Sequence, residues 1–143
     1  MINGKMFDWE DVSIGLPHGV ALLIKDISYD DELEVDPAYG KGNKAVGYGT
    51  GNYKASGKMS ILREEYDKFI DYAKSTGKAL YRLPPFPITC SYANDGEPVS
   101  TDVLRGCKIS KRSWKAAQGS KELTVDLDFT ITDSIESNGL KAI

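Results

Sequence analysis

The stretch from Val46 to Gly77 reads VGYGTGNYKASGKMSILREEYDKFIDYAKSTG, and it decides the fold. It begins with glycines, continues as an alternating strand from Lys54 to Ile61, and ends in a segment with helical spacing. Gly77 follows at the place where a left-handed glycine closes a helix. The pattern therefore predicts a strand followed by an amphipathic helix from Leu62 to Ser75, whose apolar stripe contains Leu62, Tyr66, Phe69, Ile70 and Ala73.

The rest of the chain favours strands. The sharpest alternation runs from Glu122 to Thr132, with one face apolar and the other face polar and acidic. The apolar face contains Leu123, Val125, Leu127, Phe129 and Ile131, and the opposite face contains Thr124, Asp126, Asp128 and Thr130. Further strands are predicted at Lys5–Ile14, Val20–Val35, Leu80–Leu83, Ile88–Tyr92 and Val103–Lys115.

Two details of the later strands follow from alternation and composition. In Val103–Lys115, one face is predicted to carry Val103, Cys107 and Ile109, and the other Lys108, Arg112 and Trp114. The polar residues from Ser134 onward are expected to fray. Together these segments predict one domain spanning residues 1–143. Its fold class is mainly β (α+β), a small β-barrel or sandwich of about six or more strands flanked by the single helix.

A glycine-rich segment precedes the central strand. Asp36 to Gly51 holds five glycines and one proline, which predicts a long loop. Phosphate-binding motifs do not fit it, because its G-x-G-x-G run is one residue short of the dinucleotide fingerprint and no helix follows directly. We therefore expect a flexible arm, defined here as residues 36–53, that becomes ordered against a partner.

Few residues suggest chemistry. His18, the single histidine, lies in the predicted turn Leu16–Gly19 and is expected to be solvated. Cys90 and Cys107 lie in apolar strands and are expected to be buried. No nucleophile with a base and no metal-ligand spacing is present, so we expect no enzyme, no cofactor and no metal site.

Net charge and hydropathy limit the classes of partner that this chain is expected to have. A net charge of −3 argues against a surface that grips nucleic acid. No apolar run approaches the length that spans a bilayer, and no secretory leader pattern is found, which favours the cytoplasm and no membrane partner.

The order of these features resembles the tail tube proteins of contractile-tailed bacteriophages and phage-like particles. The resemblance lies in the glycine-rich arm leading into Lys58-Met59-Ser60-Ile61, and in the helix with Tyr66-Asp67-Lys68-Phe69. It continues through Leu80-Tyr81-Arg82-Leu83 and the two late strands joined by Gly119-Ser120-Lys121-Glu122.

This resemblance implies a virion structural protein with the fold of the type VI secretion tube. Six subunits would close into a ring, and rings would stack into a hollow tube that conducts DNA without binding it specifically. The sheath, tape measure and baseplate proteins of the tail would be further partners, in a particle assembled in the host bacterial cytoplasm. The arm would be the inter-subunit stacking element, and its residues would be Pro37, Tyr39, Gly40, Gly42, Val46, Tyr48, Gly49, Gly51 and Tyr53.

Two alternatives stay open. Asp126 and Asp128 are candidates for the lumen face of the tube, where their charge would keep DNA from sticking, or they lie on an exterior solvent face. The rival function is a small-ligand or carbohydrate-binding β-barrel that uses Tyr39, Tyr48 and Tyr53 as a platform.

Overall fold

The computed structural model describes residue 9 and residues 12–93, 98–119 and 121–143. The first part of the strand predicted at Lys5–Ile14 lies outside these residues. The described elements are β1 (Val12–Leu16), β2 (Gly19–Val20), β3 (Ile24–Tyr39), β4 (Ala45–Leu62), α1 (Arg63–Thr76), β5 (Phe86–Tyr92), β6 (Ser100–Lys115), β7 (Thr124–Ile131), β8 (Ile135–Ser137) and β9 (Leu140–Lys141).

The strands form one antiparallel sheet in the order β2-β1-β5-β6-β7-β4-β3, and β8 joins β6 to β9. The predicted fold class, mainly β with one helix, is confirmed. Within the described ranges no pairing joins β2 to β3, so the sheet is an open ladder and the closed form of the predicted barrel is not present. Among the described residues, one long edge of β3 is therefore left without a neighbouring strand.

The sheet nevertheless curls so that distant strands meet. The hydroxyl oxygens of Tyr29 on β3 and Tyr92 on β5 lie 2.8 Å apart. The Tyr29 hydroxyl also donates to the carboxylate of Asp102 on β6. Burial and this bond together raise the pKa of Tyr29 far above its usual value, so the phenol stays a hydrogen-bond donor.

The two central strands supply the core as their alternation predicts. Met59 and Ile61 on β4 and Leu127 on β7 are fully buried. Cys90 and Cys107 are also buried as free thiols, which confirms their interpretation as small core residues. Leu123, on the predicted apolar face, precedes β7 and is 47% exposed, so it does not join the buried residues of that face.

The predicted helix is confirmed to within one residue at each end. It spans Arg63–Thr76, with Gly77 at φ 74° as its left-handed C-cap. Tyr66, Phe69 and Ala73 are buried. The Phe69 ring lies 5.9 Å from that of Phe86, so the helix closes the core against the sheet.

A buried carboxylate on this helix corrects the prediction for His18. Glu65 is 1% exposed and accepts hydrogen bonds from the Leu22 amide at 2.8 Å and from Nε2 of His18 at 3.2 Å. The His18 side chain is only 9% exposed. The expectation of a solvated histidine is therefore wrong, because α1 places an acceptor against a turn that is 47 residues away in sequence.

Two bulges in β6 also correct the prediction of its faces. The first, at Gly106 (φ 73°), puts Leu104 rather than Val103 on the buried face with Cys107. A second bulge, at Ser110, moves Arg112 and Trp114 from the predicted outer face to the face that α1 covers. There Arg112 Nη1 donates to the Tyr66 hydroxyl at 2.9 Å. Each extra residue shifts the alternation by one, which a single strand's pattern does not reveal.

Two smaller predictions also fail. The segment predicted as extended at Leu80–Leu83 forms a short 3₁₀ helix, Leu80–Arg82. The chain after Ser134 does not fray, because β8 pairs with β6 and both Ser134 and Ile135 are buried.

Candidate assembly surface

The arm is a β-hairpin that projects beyond the rest of the sheet. Strand β4 pairs with β7 only from Ala55 to Leu62, whereas it pairs with β3 along almost its whole length. Residues 45–54 of β4 thus pair with β3 and with no other strand that the structure describes, and residues 40–44 form the tip. The predicted loop from Asp36 to Gly51 is wrong, since ladder hydrogen bonds continue to the pair Tyr39↔Ala45.

One face of the arm is apolar. Alternation along β3 places Val35, Pro37 and Tyr39 on the same side as Tyr29 and the core. The register pairs Pro37 with Tyr48, which adds a second aromatic ring to that face. Val35 is 53%, Tyr39 60% and Tyr48 74% exposed. The core-facing side of β3 therefore continues past the end of the core, and no described residue of the chain covers it.

The other face of the arm is acidic and open. It carries Glu34 and Asp36 beside Gly47 and Gly49, and a Cβ added at either glycine would meet no atom within 4 Å. The two faces of this hairpin thus differ strongly in chemistry, as the faces of a strand do when one side is covered.

The base of the arm is fixed to the domain. The Tyr53 hydroxyl donates to Asp31 Oδ2 at 2.7 Å and accepts from the Ile135 amide at 3.2 Å. Burial, with the bond to Asp31, raises the pKa of Tyr53 above its usual value. Glu34 packs over Gly51, where a Cβ would lie 2.9 Å from the Glu34 Cβ. The hairpin is anchored at its root and projects from there.

The nine predicted arm residues therefore separate into groups. Pro37, Tyr39 and Tyr48 share the apolar face, Gly40 and Gly42 form the tip, and Val46 lies at an irregularity of the register, 78% exposed. Gly49 lies on the acidic face, and Gly51 and Tyr53 lie at the root. Sequence reasoning missed Val35 as part of the surface, although its odd-numbered alternation with Pro37 and Tyr39 could have identified it.

Asp126 and Asp128 lie on the outer face of β7, away from the core. The register places Asp128 between Lys58 of β4 and Lys111 of β6, and Asp126 between Ser60 and Ser113. This face of the sheet therefore carries both charges. The sequence of β7 alone predicts an acidic face because the lysines belong to the neighbouring strands.

Other kinds of site find little support in the part of the chain that the structure describes. No group of three metal-ligating side chains is found there, and none of its helices is long and apolar enough to cross a membrane. Tyr53 lies at the root of the arm, several rows from Tyr39 and Tyr48. The three tyrosines of the rival ligand-binding hypothesis thus do not form one platform.

Comparison with known proteins identifies the fold. No family model matches the sequence, and no curated protein matches it significantly. A chain in the cryo-EM structure of the sheath/tube terminator of an extracellular contractile injection system is similar, with a TM-score of 0.70 at 11% identity over 93% of this chain and 96% of that one. A chain of the tube-terminating cap of the anti-feeding prophage gives 0.69 at 11% identity, over 96% and 93%.

A sheath-tube complex gives a lower similarity. A chain of the extended sheath-tube complex of an extracellular contractile injection system matches with a TM-score of 0.58 at 14% identity, over 94% of this chain and 93% of that one. The tail-tube-like fold expected from the sequence is thereby confirmed over nearly the whole length of the chain.

Proposed function

We propose that this protein is a structural subunit of the tail tube of a phage or phage-like particle. It has no catalytic role in this proposal. The fold supports it, since chains of a tube terminator, a tube cap and a sheath-tube complex share it over more than nine tenths of both chains. The observation that carries it is the arm, whose exposed apolar face is typical of a surface that binds a partner.

Ring formation would use the edges of the open sheet. An unpaired edge such as that of β3 exposes backbone donors and acceptors and favours pairing with another chain. Six copies joined edge to edge would close into a ring with no such edges left, which is the closed form of a heterologous interface.

Stacking of these rings would use the arm, and the stack would form a hollow tube that conducts DNA. Asp126 and Asp128 remain candidates for the lumen face. The carboxylates repel phosphates, but Lys58 and Lys111 beside Asp128 moderate this repulsion. The sheath, tape measure and baseplate would be the neighbouring tail proteins, in a particle assembled in the host bacterial cytoplasm.

A second candidate within the same particle is a ring that terminates the tube. The TM-scores of 0.70 and 0.69 for the terminator and cap structures exceed the 0.58 for the sheath-tube complex. A terminator forms a ring but does not continue the stack, so the two candidates predict different products.

Electron microscopy and light scattering over a range of concentrations test the proposal. A tube subunit is expected to give rings and then fibres with a central channel, whereas a terminator gives single rings alone. A protein that remains monomeric at the highest concentration contradicts both, and binding of a glycan by the arm tyrosines would then support the ligand-binding alternative.

Deletion of Ala38 to Tyr48 tests the role of the arm. It leaves Asp36, Pro37 and Gly49 as a short turn between the paired residues Val35 and Thr50. We expect a folded domain that no longer polymerises. Unfolding of the variant, measured by circular dichroism, would mean that this segment belongs to the core.

A further inference from the structure

A second exposed apolar surface lies at the far end of the sheet from the arm. A groove of about 350 Å³ is lined by Arg63, Trp114, Ala116, Leu123 and Val125, and we call it the corner groove. Trp114 is 52% and Leu123 47% exposed. These are large apolar side chains in a concave site, a combination typical of a docking surface.

Contacts within the chain hold the residues that line the corner groove. The Trp114 ring meets the Tyr66 ring edge-on at 6.2 Å, and the Arg112 guanidinium, on the same face of β6, lies 4.8 Å from the centre of the Trp114 ring. The Arg63 amide donates to the Leu123 carbonyl at 3.0 Å, which fixes the loop before β7 against the start of α1. These contacts position the side chains that line the groove within the single chain.

Strand β4 places the arm and the corner groove at opposite poles of the molecule. Pairing between β4 and β7 begins at Ala55, and the arm lies beyond that end. The groove lies at the other end, where Leu62 of β4, Thr124 of β7 and Lys115 of β6 pair across the sheet. Seven residues separate these two ends, which is about 23 Å at the rise of a strand. Two complementary surfaces at opposite poles produce a head-to-tail contact between copies.

The charges around the two surfaces are complementary. The acidic face of the hairpin carries the carboxylates of Glu34 and Asp36, and Asp30, Asp31 and Glu32 precede them on β3. Around the corner groove lie four basic side chains, those of Lys25, Arg63, Lys115 and Lys121, of which Lys25 is paired with Glu122 and Arg63 with Asp67 in the same chain. The two lysines of the arm tip, Lys41 and Lys44, would meet the exposed carboxylate of Glu64 in the first turn of α1.

From these observations we infer that the corner groove receives the apolar face of the arm from a second copy of this chain. Tyr48 and Tyr39 of one copy pack against Trp114 and Leu123 of the next. The inference rests on the proposed function, and it names the acceptor that stacking requires. Each copy then offers one arm and one groove, so that the contact repeats along an axis.

Site-specific crosslinking tests this contact. Tyr48→Cys and Leu123→Cys are made in separate chains and together in one chain, and assembled protein is treated with a short bismaleimide. The native thiols do not compete, because burial raises the pKa of Cys90 to about 11 and that of Cys107 to about 12. A 1:1 mixture of the single variants is expected to give a crosslinked dimer, and the double variant a ladder of multimers.

Leu140→Cys provides the matched control for Leu123→Cys. Leu140 is 78% exposed on β9, near the pole that carries the arm. Pairing of Tyr48→Cys with Leu140→Cys and not with Leu123→Cys would overturn the inference. Assembly of the wild type without a crosslink to Leu123→Cys would also overturn it while leaving the proposed function intact, because the groove would then bind something else.

A charged substitution gives an independent readout. Leu123→Glu is expected to raise the concentration needed for assembly by about tenfold or more, as a substitution in the centre of an interface does. Leu140→Glu is expected to leave it unchanged, and circular dichroism checks that both variants fold. Equal assembly of the two variants would overturn the inference, whereas failure of the wild type to assemble at all would contradict the proposed function itself.

Discussion

The two halves of strand β4 have the same partner on one side and opposite environments. Residues 55–62 lie between β3 and β7, and there Ala55, Met59 and Ile61 are buried. Residues 45–52 pair with β3 alone, and all of them are exposed. Both halves are hydrogen-bonded strands, so pairing by itself does not decide burial.

The two halves of β4 differ in what packs against them besides β3. The buried half has β7 beside it and α1 across it, whereas the exposed half has neither. An isolated two-stranded hairpin gains little stability in water. A long hairpin with an unpartnered apolar face is therefore understandable when another molecule supplies the missing layer, and the following experiments test that difference.

The largest expected effect concerns the buried half. Phe69→Ala removes a ring that is fully buried and lies 5.9 Å from the Phe86 ring. The loss of contacts and the cavity should lower the free energy of unfolding by about 3–5 kcal/mol. Urea denaturation measures it, with Tyr39→Ala on the arm as the matched aromatic control. A comparable loss for Tyr39→Ala would contradict the difference between the two halves.

The next effect concerns Glu65, which ties α1 to the turn after β1. Glu65→Ala leaves the Leu22 amide and His18 without their acceptor, at a cost of about 2–3 kcal/mol in the free energy of unfolding. Thermal and urea melts at neutral pH measure this loss. Asp71→Ala, which removes an exposed carboxylate of the same helix, is the control. If Glu65→Ala lowers the free energy of unfolding by no more than Asp71→Ala does, these hydrogen bonds contribute nothing.

The same residue predicts a pH dependence. Burial by itself would raise the pKa of Glu65, but the hydrogen bonds from Leu22, His18 and Leu23 lower it below its ordinary value. Because the folded pKa is lowered, this stabilisation is present above the ordinary carboxyl pKa and is lost as pH falls through the folded value. The stability difference between the wild type and Glu65→Gln should thus shrink below about pH 4.

A pair of glycines on β4 gives an intermediate effect. A Cβ at Gly57 would lie 2.6 Å from the Phe129 ring and 2.8 Å from the Ser28 carbonyl, whereas at Gly49 it would meet nothing within 4 Å. Gly57→Ala should therefore cost about 2 kcal/mol by overpacking. Gly49→Ala should be neutral or slightly stabilising, by up to about 1 kcal/mol. Chemical denaturation of both variants compares them, and equal effects would remove the distinction between the halves.

The smallest effect on the single chain is expected for Tyr48→Ser. Tyr48 is 74% exposed, so the free energy of unfolding of the monomer should change by less than about 0.5 kcal/mol. Assembly should nevertheless fail, because the apolar face loses its most exposed ring. Light scattering at matched concentrations measures this. Normal assembly by a stable Tyr48→Ser variant would show that this face of the arm is not an interface.

Much of the fold could be predicted from the chain alone. The spacing of apolar residues within short segments predicts the helix and the inward faces of β4 and β7, and the glycine after the helix predicts its cap at Gly77. The glycines from Gly40 to Gly51 mark a segment that the structure leaves exposed. Its strand structure was missed because those glycines suggest a loop, and only pairing with β3 over many rows reveals a hairpin.

The remaining errors share a cause. The bulges at Gly106 and Ser110 depend on what β5 and β7 require of β6, and the lysines beside Asp128 come from other strands. The corner groove likewise combines Arg63, Trp114 and Leu123, which are far apart in sequence. No local pattern contains these relations.

The sequence by itself determined which segments alternate, which one is helical and where the helix ends, because these properties depend on neighbours three or four residues apart. The tertiary structure alone decided which alternating faces are covered, how the bulges turn β6, and that His18 meets Glu65. It also decided that the arm and the corner groove lie at opposite poles. The physical reason is that burial and register depend on contacts between residues distant in the chain, which local periodicity does not specify.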